Sequence, residues 1–259
     1  MQQLELPLPS LAEPKKTIYE SARLIELWCA EPVFFASREL SDTYYTEGAI
    51  GNYALAYAFG WARSPYRLTG TATCRPRYRE DLSPLDSYIL PAWPKNDRTS
   101  FRFERFNALS DSYWYAMTNN RVAIAREDLP IKRSGKKPNT FRPSNFPQTG
   151  RLRIIERGSR FQTLVFGNRE LPEYIRLGKF TSKVKVTILS ENRVILLPNG
   201  EYRSHIYLNT ADLPASVNFL SFDLIAIPPV SLFKNLHFQG EAWQIGESIV
   251  PAYLKFCGG

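Results

Sequence analysis

The alternation of apolar and polar positions divides the chain into a few legible elements. Residues 17–29, TIYESARLIELWC, are rich in β-formers, with Ile18, Leu24, Leu27 and Cys29 in partial alternation, and predict a strand. Pro32 interrupts it, and VFFAS at 33–37 either continues or ends it. A helix follows: Thr46 stands as its cap, Ile50, Tyr53, Ala54, Tyr57 and Ala58 recur at helical spacing, and Gly60 sits where a C′ residue belongs. FRFERF at 101–106 alternates Phe with charge and SYWYAMT at 112–118 is aromatic, so both predict strands. RLRIIE (151–156) and FQTLVFG (161–167) predict a hairpin turning around Gly158. Residues 171–189 predict a short turn or helix running into a strand. The last third adds strand-like runs at 205–208 and 222–227 between proline-rich connections.

Two stretches lack such periodicity. Residues 63–100 carry Pro65, Pro76, Pro84, Pro91 and Pro94 and read as irregular. Residues 130–150, PIKRSGKKPNTFRPSNFPQTG, combine Pro, Gly and Lys/Arg and read as a long mobile loop. Residues 1–15 read as a loose tail. The expectation is one α+β domain over 1–259, mostly β with one good early helix, carrying an irregular basic insertion at about 63–150.

Composition permits a real core: 44% of the 259 residues are hydrophobic and 22% charged, which excludes global disorder. The formal charge of +8 points to an anionic partner. Its distribution sharpens this. Residues 98–185 hold 19 Lys+Arg against 7 Asp+Glu, a net +12, whereas 1–62 carry −4 and 186–259 carry −2. A membrane is the poorer partner, because this charge lies on no amphipathic helix. No run of about 18 apolar residues predicts a spanning helix. The N-terminus lacks the pattern of a secretory signal. Three scattered cysteines, Cys29, Cys74 and Cys257, suggest reduced thiols and a cytoplasmic setting.

Candidate chemistry is chemistry of binding. There is no HExxH, CxxC, Walker loop or GxGxxG, so no metal or cofactor is expected. His205 and His237 sit in strand-like apolar contexts and read as half-buried structural residues. A metal-independent ribonuclease needs only a placed Tyr, Lys or His beside a 2′-hydroxyl, so that activity stays open. Basic and aromatic residues interleave at 101–121, and Lys132, Arg133, Lys136, Lys137 and Arg142 make a dense cationic loop. Cations neutralise phosphates and rings stack on unpaired bases. The rings taken alone read more readily as core. Gly48 and Gly51 either leave backbone N–H groups accessible to an anion at the expected helix start or merely allow close packing against a strand. In EYIRLGKFTSKVKV (173–186), Arg176, Lys179, Lys183 and Lys185 surround Gly178, and Lys183 and Lys185 share one strand face.

FFASRELSDTYYTEGAIGNYALAYAFG (34–60) and LPEYIRLGKFTSKVKV (171–186), in this order and in a chain of this length, resemble the Csc-one family, the Cas-five-type subunits of type I-D CRISPR effector (Cascade) complexes. The resemblance implies a ferredoxin-like, RNA-recognition-like β-α-β-β-α-β core with an antiparallel sheet and a thumb. A second core helix is not evident in the sequence. It implies a non-catalytic subunit at the foot of the complex, holding the 5′ handle of the guide RNA and touching the backbone and large subunits near the target double-stranded DNA. The alternative is a metal-independent endoribonuclease that processes precursor CRISPR RNA. By matching position, Arg38, Tyr45, Gly48, Gly51 and Asn52 in the first motif and Arg176, Lys179, Lys183 and Lys185 in the second would contact RNA. Lys132, Arg133, Lys136, Lys137 and Arg142 would contact nucleic acid or a neighbouring subunit.

Overall fold

The computed structural model describes residues 19–40, 43–64, 76–83, 85–107, 113–114, 124–125 and 149–258. In chain order the elements are β1 (Ser21–Cys29), β2 (Arg38–Leu40), β3 (Thr43–Tyr45), α1 (Asn52–Ala58), α2 (Tyr78–Leu82), β4 (Tyr88–Ile89), β5 (Trp93–Pro94) and β6 (Phe101–Asn107). Then come β7 (Tyr113–Trp114), β8 (Ile124–Ala125), β9 (Thr149–Ile155), β10 (Arg160–Phe166), β11 (Tyr174–Leu177) and β12 (Ser182–Ser204). The last are β13 (Leu208–Asn209), β14 (Asn218–Ile225), β15 (Leu232–Ile245) and β16 (Ser248–Pro251). The protein is sheet-rich α+β, with a main sheet ordered β13-β15-β12-β1-β10-β4 and a second sheet ordered β2-β3-β9-β6.

β1 is the centre of the main sheet, antiparallel to β10 on one side and β12 on the other. Its alternation decides which face is core: Ile25, Leu27 and Cys29 are fully buried, while Glu26 and Trp28 point to the opposite face. Val184 and Val186 of β12 and Phe161 of β10 continue the buried face, and Tyr53, Leu55 and Ala56 of α1 join the same core. Each such aliphatic or aromatic side chain contributes about 1.5–3 kcal/mol on burial.

The helix is shorter than its periodicity predicts. Thr46 does not cap it, because its hydroxyl accepts the Phe35 N–H at 3.0 Å and donates to the Phe35 carbonyl at 2.8 Å. Ile50 is held extended by a bridge to Ala92. α1 therefore starts after Gly51. Its end is as predicted: Gly60 has φ +72°, its N–H reaches the Tyr57 carbonyl at 3.0 Å, and Trp61 N–H reaches that of Ala56 at 3.0 Å, a Schellman closure.

The turn at Gly158 is present, with φ +88°, but β9 and β10 do not form a hairpin. β9 pairs with β3 and β6 in the second sheet, and β10 pairs with β1, β4 and β5 in the main sheet. The turn is held from outside, by Gly158 N–H to the Cys29 carbonyl at 2.8 Å and Cys29 N–H to the Ser159 carbonyl at 2.9 Å. Those bonds send the chain from one sheet into the other. The stretch 63–100, read as irregular, contributes α2, β4 and β5 within its described residues, and β4 and β5 extend the main sheet. Between β10 and β12 there is no helix. β11 hairpins onto β12 instead.

Candidate nucleic-acid interface

The second motif forms a tight hairpin. Arg176 of β11 stands opposite Lys183 of β12, and Tyr174 opposite Lys185, so four side chains share the outer face while Ile175, Leu177, Val184 and Val186 are buried beneath. Gly178 makes the turn with φ +72°, and a Cβ there would lie 2.5 Å from the Phe34 carbonyl oxygen. Only glycine fits both the left-handed backbone and that approach. Lys179 sits in the turn, and burial pushes its ammonium down to about 8.

The turn is anchored on the first motif. Lys179 N–H donates to the Phe34 carbonyl at 2.8 Å, the Phe34 and Phe180 rings stack at 5.2 Å, and the Ser182 hydroxyl donates to the Pro32 carbonyl at 2.5 Å. The Glu31 carboxylate accepts the Lys183 N–H at 2.7 Å and pairs with Arg176 at 3.4 Å. Segments about 140 residues apart in the chain thus meet at Phe34, the start of the first motif, and at Glu31 and Pro32 just before it.

Arg38 and Tyr45 lie elsewhere, on the second sheet. The register places Arg38 beside Tyr45, Tyr45 beside Arg153, and Arg153 beside Phe103, in one row across β2, β3, β9 and β6. The opposite face of this sheet packs Leu152 and Ile154 with Phe34, so the row faces away from the Phe180 contact. Arg153 stacks its guanidinium 3.7 Å over Phe101, Tyr45 meets Phe103 edge-on, and Phe103 is 59% exposed. The expectation that these rings turn into the core is corrected at Phe103. Arg38 pairs with Glu47.

Gly48 and Gly51 do not lie in a helical turn. Gly48 packs near Thr99 and Phe101, and Gly51 is the extended residue before α1, near Ile227. Asn52 is 0% exposed, which corrects its reading as an RNA contact. Its amide donates to Asp212 at 2.6 Å and its carbonyl accepts from Asn209 at 2.8 Å. The Asp212 carboxylate also accepts Tyr53 OH at 2.7 Å, Tyr88 OH at 2.8 Å and the Cys257 N–H at 2.8 Å. Burial raises it to about 6 against these donors. This cluster ties α1 and β4 to the C-terminal segment and is a structural joint.

His237 is half-buried in β15 and 2.6 Å from Glu201, but His205 is exposed just beyond β12, contrary to its expected setting. Lys132, Arg133, Lys136, Lys137 and Arg142 lie outside the described residues, as do the tail at 1–15 and Cys74. Among the described residues no three His, Cys, Asp or Glu side chains gather as a metal site, and no helix is long and apolar enough to cross a membrane.

Sequence reasoning missed Trp28 and Arg160. The register places Lys185 beside Trp28 and Trp28 beside Arg160 on the same outer face as Tyr174. Arg160 and Lys95 both bond Glu26 at 2.7 Å. Burial opposes ionisation of Glu26, but the Lys95 hydrogen bond and the Arg160 charge outweigh it and hold its carboxyl below the usual value. The exposed end of the β1 pattern, Trp28 between buried Leu27 and Cys29, was the available signal.

No curated protein matches the chain. The family described as type I-D CRISPR-associated protein Cas5/Csc1 matches residues 20–259. With that match running through both motifs and every element described above, the chain belongs to the type I-D Cas5/Csc1 family of CRISPR effector subunits.

Proposed function

We propose that this chain is the non-catalytic RNA-binding subunit of its complex and that it holds the 5′ handle of the guide RNA at the foot of the assembly. It would do so against the backbone and large subunits, near the target double-stranded DNA. The observation that carries this reading is the β11–β12 hairpin, where Arg176, Lys179, Lys183 and Lys185 converge on a segment anchored by the first motif. Cations at that spacing neutralise successive phosphates of a single strand. The row Arg38–Tyr45–Arg153–Phe103 supplies a second basic and aromatic surface.

The reading of the core as ferredoxin-like belongs to the same proposal. The order β12-β1-β10-β4, with α1 between β1 and β4, supports it, since this is the strand order of a β-α-β-β-α-β unit. The β11 hairpin then stands where the second helix would. The basic insertion, with Lys132, Arg133, Lys136, Lys137 and Arg142, would serve RNA, target DNA or a neighbouring subunit.

Titrating the protein with a handle RNA at increasing salt tests the proposal. Each neutralised phosphate adds about 0.7 to the slope of log affinity on log salt. Reversing Arg176, Lys183 and Lys185 to Glu is expected to lower both affinity and slope. Unchanged binding by that variant would overturn the reading. Site-specific cleavage of repeat RNA in chelator would favour the ribonuclease instead.

A further inference from the structure

We infer that the open face of the main sheet is a stacking platform for the bases of single-stranded nucleic acid, with Trp28 and Tyr174 as its rings. This deepens the RNA-binding reading and rests on it. The register sets Tyr174, Lys185, Trp28 and Arg160 in one row across β11, β12, β1 and β10. Each step between strands is about 4.8 Å, so the two rings stand about 10 Å apart with an ammonium between them.

The face is open where the core does not need it. Ile25, Leu27, Cys29, Val184 and Val186 are buried on the other side, while Trp28 is 37% and Tyr174 40% exposed. Large rings on an open sheet face, Trp28 on the central β1 and Tyr174 on the edge strand β11, forfeit burial there unless a ligand supplies it. Both rings come with cations. Lys183 Nζ lies 4.1 Å from the Tyr174 ring centroid, which orders the pair. Arg160 is oriented by Glu26. Lys183 and Lys185 have no carboxylate within ion-pair distance among the described residues, so this face keeps positive charge.

The alternation of ring, ammonium, ring and guanidinium selects the occupant. An acidic peptide would use the cations and leave the rings without partners. A duplex keeps its bases stacked on one another. A splayed single strand uses both, with a base on each ring and the linking phosphate at Lys185.

The test compares a single-stranded oligouridylate with an abasic ribose-phosphate oligomer of equal length, using the full chain. The wild type is expected to bind the base-bearing strand at least about fivefold more tightly for each ring engaged. Trp28→Leu and Tyr174→Leu should each lose that margin, with oligouridylate binding falling more than abasic binding, while Trp28→Phe and Tyr174→Phe should keep it. Equal binding of the two oligomers by the wild type would overturn the platform and leave backbone recognition standing. Competition by polyglutamate as effective as that by oligouridylate would also overturn it. Loss of salt dependence on the abasic oligomer would instead remove the RNA-binding reading beneath it. Photo-crosslinking of a 4-thiouridine strand to wild-type protein gives a check independent of variant folding. Crosslinks at Trp28 or Tyr174 are expected, and crosslinks confined to other residues would reject the platform.

Discussion

The backbone N–H of Lys179 donates to the carbonyl of Phe34 at 2.8 Å, and this bond holds the basic hairpin against the segment that leads into the second sheet. Gly178 makes the bond possible. A Gly178→Ala variant would set its Cβ 2.5 Å from the same carbonyl at φ +72°. The left-handed backbone alone costs about 1–2 kcal/mol, and the clash adds to it. Denaturant unfolding should show a loss of about 2 kcal/mol or more, and hydrogen exchange at the Lys179 amide should speed up. Unchanged exchange there would refute the anchoring role.

Lys179 also predicts a pH response. Burial depresses its pKa to about 8, so the folded protein holds fewer protons on it than the unfolded chain between about 8 and its ordinary 10.5. Its stability contribution therefore rises with pH across that window. RNA affinity should move the other way, falling between pH 7 and 9 as the ammonium discharges. Lys179→Arg should flatten the affinity profile, and a profile equally steep in both proteins would rule Lys179 out as its source.

Asp212 and Glu26 make opposite contributions to acid stability. Asp212 is raised from 3.8 to about 6 by burial, so its contribution is fully present below 3.8 and is lost as pH rises through 6. An Asp212→Asn variant places an amide nitrogen against two donors, each unmatched donor costing about 1–3 kcal/mol. It should unfold about 2–6 kcal/mol more easily at pH 7 and lose the slope between pH 4 and 6. A variant as stable as wild type would contradict the four-donor arrangement.

Glu26 is held below its ordinary 4.5, so its contribution is present above 4.5 and is lost as pH falls through the lowered value. Glu26→Gln should cost about 1–2 kcal/mol by weakening two charge-assisted hydrogen bonds. It also frees the charge of Arg160 and Lys95, so RNA affinity at low salt should rise. A fall in affinity would mean that Glu26 matters for placing Arg160 more than for masking it.

Much of the local structure was legible in the residues. The alternation in β1, the glycine closure of α1, the turn at Gly158 and the shared face of Lys183 and Lys185 follow from backbone sterics and periodicity. The start of α1 was not legible, because a Thr hydroxyl serves a distant peptide as readily as a helix start, and at Thr46 the Phe35 backbone takes it. Asn52 resembled a polar residue at an exposed helix start until Asp212, 160 positions later, claimed its amide.

By itself the sequence determined the family, through two motifs, and the concentration of positive charge in residues 98–185. It also determined which residues alternate within each strand, since that depends only on neighbours along the chain. The tertiary structure alone decided that β9 and β10 part into different sheets, and that Trp28, Arg160, Tyr174 and Lys185 stand in one row. Strand partners are chosen by register between distant segments, and a one-residue shift of any of them would send its side chains to the other face.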